Sequence, residues 1–242
     1  MLNNQNINYS KGGGEIIGNN SIKGNFSSII RILRDLKEIS IARTLMNQLL
    51  EKIDFKGKIV DIGGGNKATY RNLIKNEYFS VNIDEKMEPN VCSKVDESIP
   101  LDDATYDTCL MFNILEHVYD WNLLLSEAHR LLKNNGYLHL IIPFSYPIHA
   151  CPDDFIRVTD SYLKRKLKDF NFKNINIYAI AYGPFSTSQL FMMRHRYLQN
   201  YIGQFFVLMD FILKKVIPKK IAAYTKKSPL FYYVECQANK AE

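Results

Sequence analysis

The sequence predicts an α/β protein with a doubly wound, mostly parallel sheet that has helices on both faces. From Lys58 onward, short apolar runs alternate with segments of helical periodicity, and this alternation is typical of parallel βαβ units. The chain has 242 residues, of which 46% are hydrophobic, so it can bury one substantial core. Both observations favour one main α/β domain.

Apolar runs and capping signals define the predicted elements. The predicted strands cover residues 58–62, 79–83, 91–95, 106–112, 136–142, 172–180 and 230–237. The predicted helices cover residues 67–76, 121–132 and 159–170. Asp120 and Thr159 can cap the N-termini of the last two helices, and Gly136 follows the end of the helix at 121–132.

Composition and charge exclude several classes of protein. The cysteines Cys92, Cys109, Cys151 and Cys236 form no C-x-x-C pair, so neither a disulfide framework nor a structural zinc site is expected. The sequence shows no secretory leader and no run of 18 charge-free apolar residues. We therefore expect a cytoplasmic protein that does not span a membrane. The net charge of +6 is typical of a solvated surface and permits anionic partners.

The residues that end the predicted strands are the most informative part of the sequence, because ligands of such sheets lie beyond the carboxyl ends of the strands. The first strand ends in Asp61 and a turn that contains Gly63 and Gly65. Glycines allow the backbone to turn tightly and to approach a ligand closely. Gly63-x-Gly65-x-x-Ala68, followed by Asp84, also satisfies the dinucleotide fingerprint. An NAD-dependent oxidoreductase therefore remains an alternative.

Three acids at successive strand ends favour S-adenosylmethionine (SAM) over a dinucleotide. Asp61 would repel a pyrophosphate and attract the ammonium of a methionine group. Asp84 and Asp96 follow the second and third strands, where they can accept hydrogen bonds from ribose hydroxyls and from the adenine amino group. The alternative is that each acid only caps a turn.

These motifs resemble the class I SAM-dependent methyltransferases of the methyltransferase type 11 group, which have a Rossmann-like fold. The resemblance covers residues 58–180 and is carried by IVDIGGGN, VNIDEK, VDESIPLDDATYDTCLMFNILEHV and LLSEAHRLLKNNGYLHLIIP. It implies the following cofactor-binding residues: Asp61, Gly63 and Gly65 at the methionine and ribose end, Asp84 at the ribose, Asp96 at the adenine, and Asn113 beside the methionine group. Lys67 replaces a common third glycine and could neutralise the carboxylate of the cofactor.

Composition, periodicity and the resemblance together divide the chain. Residues 1–25 are polar, rich in Asn and Gly and without periodicity, which predicts a flexible arm, and residues 26–242 are expected to form one methyltransferase domain. Within that domain we expect a helical preamble of one or two helices at 26–56 and a cofactor-binding core at 57–182. A helical insertion at 183–229 precedes the last strand and tail at 230–242.

The loop after the fifth strand carries the candidate catalytic groups. If the acceptor is a hydroxyl, a base must remove its proton; His149, His117 and Asp154 are the candidates. The string H-x-x-P-D-D-x-x-R-x-T from His149 to Thr159 resembles the substrate loop of members found among bacterial polysaccharide and cell-surface glycan genes. Asp153 and Arg157 would then bind a hydroxyl-rich or anionic acceptor. The alternative is a local ion-pair network that shapes the loop.

Other ligands are disfavoured. Metal binding by His149, Cys151 and Asp153 matches no closed zinc pattern, so we expect no metal. DNA is not expected as a partner, because residues 113–116 read Asn-Ile-Leu-Glu instead of the [D/N/S]-P-P-[Y/F] pattern of amino-methylating enzymes. Only the basic charge supports RNA, which is disfavoured.

The insertion combines an apolar helix with lysines. Apolar residues fall at helical spacing at Phe205, Leu208, Met209, Ile212 and Val216, and six lysines follow at Lys214, Lys215, Lys219, Lys220, Lys226 and Lys227. Residues 201–227 could therefore lie on the anionic inner face of a membrane. A lid or a homodimer helix is the alternative.

The sequence thus predicts methyl transfer from SAM to an oxygen, less readily a nitrogen, of a small polar acceptor such as a sugar or a lipid-linked glycan precursor. The alternatives are the NAD-dependent oxidoreductase and a SAM-fold binding protein without turnover.

Overall fold

The computed structural model describes residues 26–94, 97–192 and 196–240. The predicted arm at 1–25 and Asp96 lie outside these residues. The strands are β1 Ile59–Ile62, β2 Tyr78–Asn82, β3 Val91–Cys92, β4 Tyr106–Phe112, β5 Leu132–Pro143, β6 Phe172–Ile180 and β7 Phe231–Ala238. The helices are α1 Phe26–Asp35, α2 Ile41–Leu50, α3 Trp121–Leu131, α4 Asp160–Asp169, α5 Pro184–Met192, α6 Arg196–Val216 and α7 Pro218–Lys227.

The strands form one seven-stranded sheet in the order β3-β2-β1-β4-β5-β7-β6. β1 pairs in parallel with β2 and β4, β2 with β3, and β4 with β5. β7 runs antiparallel to β6, because the N–H of Leu230 bonds to the carbonyl of Ile180 while that of Asn239 bonds to the carbonyl of Asn171. The predicted α/β class with a mostly parallel sheet is confirmed.

Several elements begin and end where the sequence predicts. β4 and β6 have the predicted bounds. The side chain of Asp120 caps α3 by accepting a hydrogen bond from the N–H of Asn122, and Thr159 caps α4 by accepting one from the N–H of Tyr162. The predicted preamble consists of the two helices α1 and α2, and Ser40 caps the second. The predicted insertion contains α5, α6 and α7.

The helix predicted at 67–76 is wrong. Only Arg71–Leu73 forms a short 3-10 helix. The N–H groups of Asn66 and Lys67 bond instead to the carbonyls of Glu88 and Met87, both at 3.2 Å. Four of the following N–H groups, those of Ala68, Arg71, Leu73 and Ile74, bond to the third preceding carbonyl, which is the tighter 3-10 pattern. The glycine turn therefore does not lead into an α-helix.

β5 begins earlier than predicted. It starts at Leu132, directly after α3, and its pairing with β4 shifts between Leu132 and Tyr137. Between these two pairs β4 advances by two residues and β5 by five, so β5 contains three extra residues at this point of the ladder. Asn135 has φ of 63°, as expected for a residue type that tolerates left-handed backbone.

The chain divides into two compact units. The first contains α1, α2, residues 144–147 and residues 178–232; the second contains residues 53–143, 148–177 and those from 233 onward. In the first unit, the side chain of Gln204 on α6 donates to the carbonyl of Leu33 on α1 at 2.9 Å. In the second unit, all four residues of β1 are buried, as expected for a strand covered on both faces. Within the described part of the chain, no helix is both long and apolar enough to cross a membrane.

Candidate active site

The glycine turn follows β1 at the carboxyl edge of the sheet. Gly63 has φ of +91°, and a Cβ there would lie 2.5 Å from the Cδ1 atom of Ile114. A Cβ at Gly65 would lie 2.2 Å from the carbonyl oxygen of Met87. The positive φ of Gly63 and the close backbone contact at Gly65 therefore require glycine for reasons within the protein. This agrees with the predicted tight turn, while the close approach of a ligand stays a prediction.

Asp61 is completely buried at the end of β1. Its Oδ2 atom accepts hydrogen bonds from the hydroxyls of Tyr78 at 2.6 Å and Tyr70 at 2.9 Å. Its Oδ1 atom has no hydrogen-bond partner among the described residues. Burial raises the pKa of the Asp61 carboxyl to about 6, and the two tyrosine hydroxyls oppose this rise. An ammonium group that reached Oδ1 would satisfy this oxygen and its charge, so Asp61 fits the methionine end of SAM.

The end of β2 is tied to the glycine turn by a residue that sequence reasoning missed. The side-chain amide of Asn82 donates to the carbonyls of Gly63 at 2.8 Å and Gly64 at 2.9 Å. Asp84 follows and is exposed, and its carboxylate accepts a hydrogen bond from the N–H of Lys86 at 2.9 Å. Asp84 therefore stands beside the turn with an accessible carboxylate. A polar residue at a strand end was the available signal for Asn82.

The contacts of the other predicted cofactor residues do not by themselves indicate a role in cofactor binding. Lys67 lies on the surface, where its ammonium pairs with Glu88 at 2.6 Å. Asn113 has φ of 52°, and its N–H donates to the carbonyl of Ile141 at 2.9 Å. Their roles toward a cofactor stay predictions, as does that of Asp96, which lies outside the described residues.

A pocket opens at the carboxyl ends of β1, β2 and β4. Its lining residues are Ile62, Gly63, Val81, Asn82, Ile83, Ser93, Lys94, Ile99, Ile114 and Leu124. Ile83 is exposed although it is apolar. The isoleucines offer apolar surface for a flat ring, and the polar strand ends lie beside them. The lining therefore offers both apolar and polar surface at the edge of the sheet where the sequence predicts the cofactor.

A second group of polar residues follows Ile114, which lines the pocket. Leu115–His117 form a short 3-10 helix that is held in two ways. The indole N–H of Trp121 donates to the carbonyl of Leu115 at 2.7 Å. The N–H of Phe155 donates to the carbonyl of Glu116 at 2.8 Å. The second bond brings the loop after β5 against this helix.

The two predicted histidines meet at this point. The Nδ1 atom of His117 donates to the carbonyl of Asp153 at 2.6 Å, because a carbonyl oxygen can only accept. In the neutral ring, the unprotonated nitrogen is then Nε2. The ring of His149 packs edge-on against that of His117, with 5.0 Å between the centroids. Asp153 is exposed and contributes its carbonyl here, whereas the sequence had singled out its carboxylate.

Asp154 and Arg157 form the ion pair that shapes the loop. The Asp154 carboxylate accepts hydrogen bonds from both terminal nitrogens of Arg157 and from the N–H of His149 at 2.9 Å. The Arg157 guanidinium holds the pKa of Asp154 well below its usual range. A carboxylate with so low a pKa is a weak proton acceptor. This geometry favours a positioning role for Asp154, whose Oδ2 atom also lies 3.3 Å from Nδ1 of His149.

Glu116 was not predicted as a functional residue. Its side chain is completely buried, and neither carboxylate oxygen has a hydrogen-bond partner among the described residues. Burial raises its pKa to about 7. Its Oε1 atom lies 3.7 Å from Nε2 of His117. A carboxylate in the otherwise apolar stretch that follows β4 was the signal that could have identified it.

The fold and this site define the chain as a protein with the fold of SAM-dependent methyltransferases. Residues 60–140 match a protein family described as "Methyltransferase domain". This segment contains Asp61, the glycine turn, Asp84, Glu116 and His117. A search of curated protein sequences found no significant match.

Solved structures share the fold at low sequence identity. A SAM-dependent methyltransferase from Archaeoglobus fulgidus is 18% identical with a TM-score of 0.54, over 88% of this chain and 100% of that chain. A protein from Thermotoga maritima described as a possible histamine N-methyltransferase is 16% identical with a TM-score of 0.55, over 88% and 97%. A matched chain in the structure of a complex between the Haloferax volcanii Trm112 methyltransferase activator and a methyltransferase is 13% identical with a TM-score of 0.53. The match covers 81% of this chain and 89% of that chain. The family match and the fold support SAM as the cofactor.

Proposed function

We propose that this chain transfers a methyl group from SAM to an oxygen, less readily a nitrogen, of a small polar acceptor. One observation carries the proposal: the pocket at the carboxyl ends of β1, β2 and β4 is built largely by the segment 60–140 that matches a methyltransferase domain. SAM supplies an electrophilic methyl group on a sulfonium, so that transfer depends mainly on positioning.

On the cofactor side, we assign one contact to each of the predicted residues. The Oδ1 atom of Asp61 accepts a hydrogen bond from the ammonium of the methionine group. The exposed carboxylate of Asp84 accepts hydrogen bonds from the ribose hydroxyls. The carboxylate of Asp96 accepts a hydrogen bond from the adenine amino group. Lys67 binds the carboxylate of the methionine group, and Asn113 lies beside that group. To reach the carboxylate, the Lys67 ammonium would have to break its ion pair with Glu88.

On the acceptor side, the polar cluster begins next to the pocket, because Glu116 and His117 follow Ile114 closely in the chain. His149 and His117 promote loss of the proton of a hydroxyl acceptor, and Asp154 positions His149. Asp153 offers an exposed carboxylate to sugar hydroxyls, while Arg157 is engaged with Asp154. This supports a hydroxyl-rich acceptor such as a sugar or glycan precursor.

A labelled-SAM assay tests the function. Cell-envelope fractions and a panel of soluble sugars are incubated with SAM carrying a tritiated methyl group, and the labelled product is identified. We expect His149→Ala to lower the transfer rate about 100-fold or more. Its calorimetric affinity for S-adenosylhomocysteine should stay within about twofold, since His149 is not placed at the cofactor.

The same purified protein is titrated with NAD to test the alternative chemistry. Binding of NAD without S-adenosylhomocysteine would contradict the proposal in favour of an oxidoreductase. Tight binding of S-adenosylhomocysteine without transfer to any acceptor would favour a binding protein without turnover.

We also propose that α6 brings the enzyme to an anionic lipid surface, where a lipid-linked acceptor is available. The specific observation is an exposed apolar stripe on this helix, formed by Tyr201, Phe205, Leu208, Ile212 and Val216. Exposed lysines follow it at Lys215, Lys219 and Lys220.

A further inference from the structure

The cluster of Glu116, His117 and His149 brings together three groups that bind metals. One potential ligand atom of each residue lies within 4.8 Å of those of the other two. We propose that these three side chains form a binding site for a divalent transition-metal ion. The inference goes beyond the proposed methyl transfer and does not depend on it.

The first argument is the buried carboxylate. A completely buried charged group is costly unless it is paired or coordinates a metal. Glu116 is completely buried, and both of its oxygens lack a hydrogen-bond partner among the described residues. A cation held between Glu116 and the two histidines would satisfy these oxygens.

The second argument is the orientation of the histidines. A metal-binding histidine normally directs its other ring nitrogen to a carbonyl or a carboxylate. His117 directs Nδ1 to the carbonyl of Asp153 at 2.6 Å. Nδ1 of His149 lies 3.3 Å from Oδ2 of Asp154, which Arg157 fixes in turn. Nδ1 of His149 also lies 3.4 Å from a terminal nitrogen of Arg157. His117 therefore has the kind of outer partner found at metal sites, and Nδ1 of His149 faces both the Asp154 carboxylate and the guanidinium that pairs with it.

The third argument is spacing. Two ligands about 2.05 Å from a tetrahedral ion lie about 3.3 Å apart. The Oε1 atom of Glu116 and the Nε2 atom of His117 are 3.7 Å apart, so that a shift of a few tenths of an ångström would complete the contact. Two histidines and one glutamate form a set used by catalytic zinc sites, which keep a further position open. Imidazole and carboxylate together suit zinc, iron or manganese better than calcium.

The nearby cation does not oppose binding strongly. Arg157 lowers the pKa of Glu116 through its charge, and Asp154 raises it. These two groups form a pair with two hydrogen bonds, so their charges largely cancel at the cluster. If methyl transfer is the reaction, a hydroxyl at the open position would release its proton to solvent more readily. The sequence reasoning missed this site because Glu116 and His149 are far apart in the chain.

Cobalt titration tests the site without reference to activity. The full chain is treated with a chelator and then titrated with Co²⁺, and binding is followed by visible absorption and calorimetry. We expect one saturable equivalent. We expect Glu116→Gln, which keeps the side-chain volume, and His149→Ala, at a partly exposed position, each to weaken Co²⁺ binding about tenfold or more.

The matched control is His129→Gln. His129 lies on α3, where its ring packs on Phe172, and its replacement should leave Co²⁺ affinity within about twofold. Circular dichroism verifies the fold of each variant, and S-adenosylhomocysteine affinity is measured on the same samples to report on the proposed function separately. Absence of a saturable site in the wild-type protein, or equal Co²⁺ affinity in all three variants, would overturn the inference.

Discussion

Asp61 is the buried acid at the end of β1 to which we assign the ammonium of the cofactor. Its carboxylate is completely buried, and one oxygen is held by two tyrosine hydroxyls while the other has no partner among the described residues. Burial raises its pKa to about 6. The group is therefore mostly ionised at neutral pH but becomes protonated within the mildly acidic range. Its charge is available for an ammonium ligand only above that range.

Cofactor affinity should therefore depend on pH through Asp61. An ammonium favours the ionised carboxylate, so the complex binds fewer protons at Asp61 than the free protein, and affinity rises as pH rises through about 6. Near pH 5, about one tenth of the carboxyl is ionised, so we expect S-adenosylhomocysteine affinity about tenfold below its value near pH 7.5. Isothermal calorimetry across this range measures the change.

Two variants separate this effect from others. Asp61→Asn should bind weakly at both ends of the range and lose most of the pH dependence. Asp84→Ala should weaken binding by about 1.5 to 3 kcal/mol but keep the dependence, because Asp61 remains. A wild-type affinity that does not change between the two pH values would show that the ammonium does not bind at Asp61.

At the residue scale, sequence and structure agree on what local motifs encode. Asp61, Gly63 and Asp84 were identified because they lie at the ends of predicted strands, in motifs that resemble those of a known family. Tyr70 and Tyr78 were not, since their contacts with Asp61 join residues that are 9 and 17 positions away. Glu116 was missed for the same reason: its environment depends on His149, which comes from a different loop.

At the scale of elements, α6 buries a charged residue and exposes several large apolar residues. Val207 and Asp210 are completely buried, whereas Phe205, Leu208 and Ile212 are exposed. Asp210 accepts hydrogen bonds from the N–H groups of Phe185 at 3.1 Å and Ser186 at 2.8 Å, at the start of α5. Asp210 thus caps α5 from another helix.

We expect Asp210→Ala to destabilise the protein by about 2 to 4 kcal/mol, because two N–H groups that Asp210 now satisfies lose their partner. Lys214 on the same helix, whose ammonium lies 3.6 Å from the centre of the Tyr182 ring, would also lose a nearby anion. The measurement is urea unfolding, with the midpoint compared at constant slope. Asp169→Ala, an exposed replacement at the end of α4, serves as the control and should change stability by less than about 0.5 kcal/mol. Equal midpoints for the two variants would contradict the capping role.

The predicted elements were most accurate where periodicity and capping signals coincide, as in α3 and α4. The segment at 67–76 was predicted as a helix from the alternation of apolar runs with helical patterns. Its first N–H groups bond instead to carbonyls of residues 87 and 88, which lie about 20 positions further on. A competing partner of that kind cannot be read from local sequence.

At the scale of the molecule, the strand order explains why distant acids can act together. β1 lies between β2 and β4, so the turns after these strands meet at one edge and build one pocket. The sequence predicted the parallel class from alternation alone, but the order β3-β2-β1-β4-β5-β7-β6 depends on tertiary packing. The expectation that these ends share a cofactor came from the rule that ligands lie beyond the carboxyl ends of the strands, from the acids at those ends and from the family resemblance.

The apolar stripe of α6 lies on the surface instead of in a core. Phe205, Ile212 and Val216 are 57%, 51% and 71% exposed, which is unusual for a set of large apolar residues on one helix. The sequence had assigned Lys214 to the basic flank, but its ammonium packs on the Tyr182 ring. Lys215, Lys219 and Lys220 remain exposed and are the lysines that can meet anionic lipid.

Replacing Lys215, Lys219 and Lys220 by Gln should abolish salt-sensitive binding to vesicles of phosphatidylserine and phosphatidylcholine. Each lysine near an anionic surface contributes about 1 kcal/mol, so the triple change should lower affinity about 100-fold or more. Phe205→Ser with Ile212→Ser should weaken binding even at low salt, because it removes the apolar contact.

The matched control replaces Lys164, Arg165 and Lys168 on α4 by Gln, an equal loss of charge on another surface, and should float with vesicles as the wild-type protein does. If the wild-type protein does not float with anionic vesicles at low salt, and light scattering shows a dimer that the serine variants lose, the stripe is a contact between two copies of the chain and the lipid proposal is wrong.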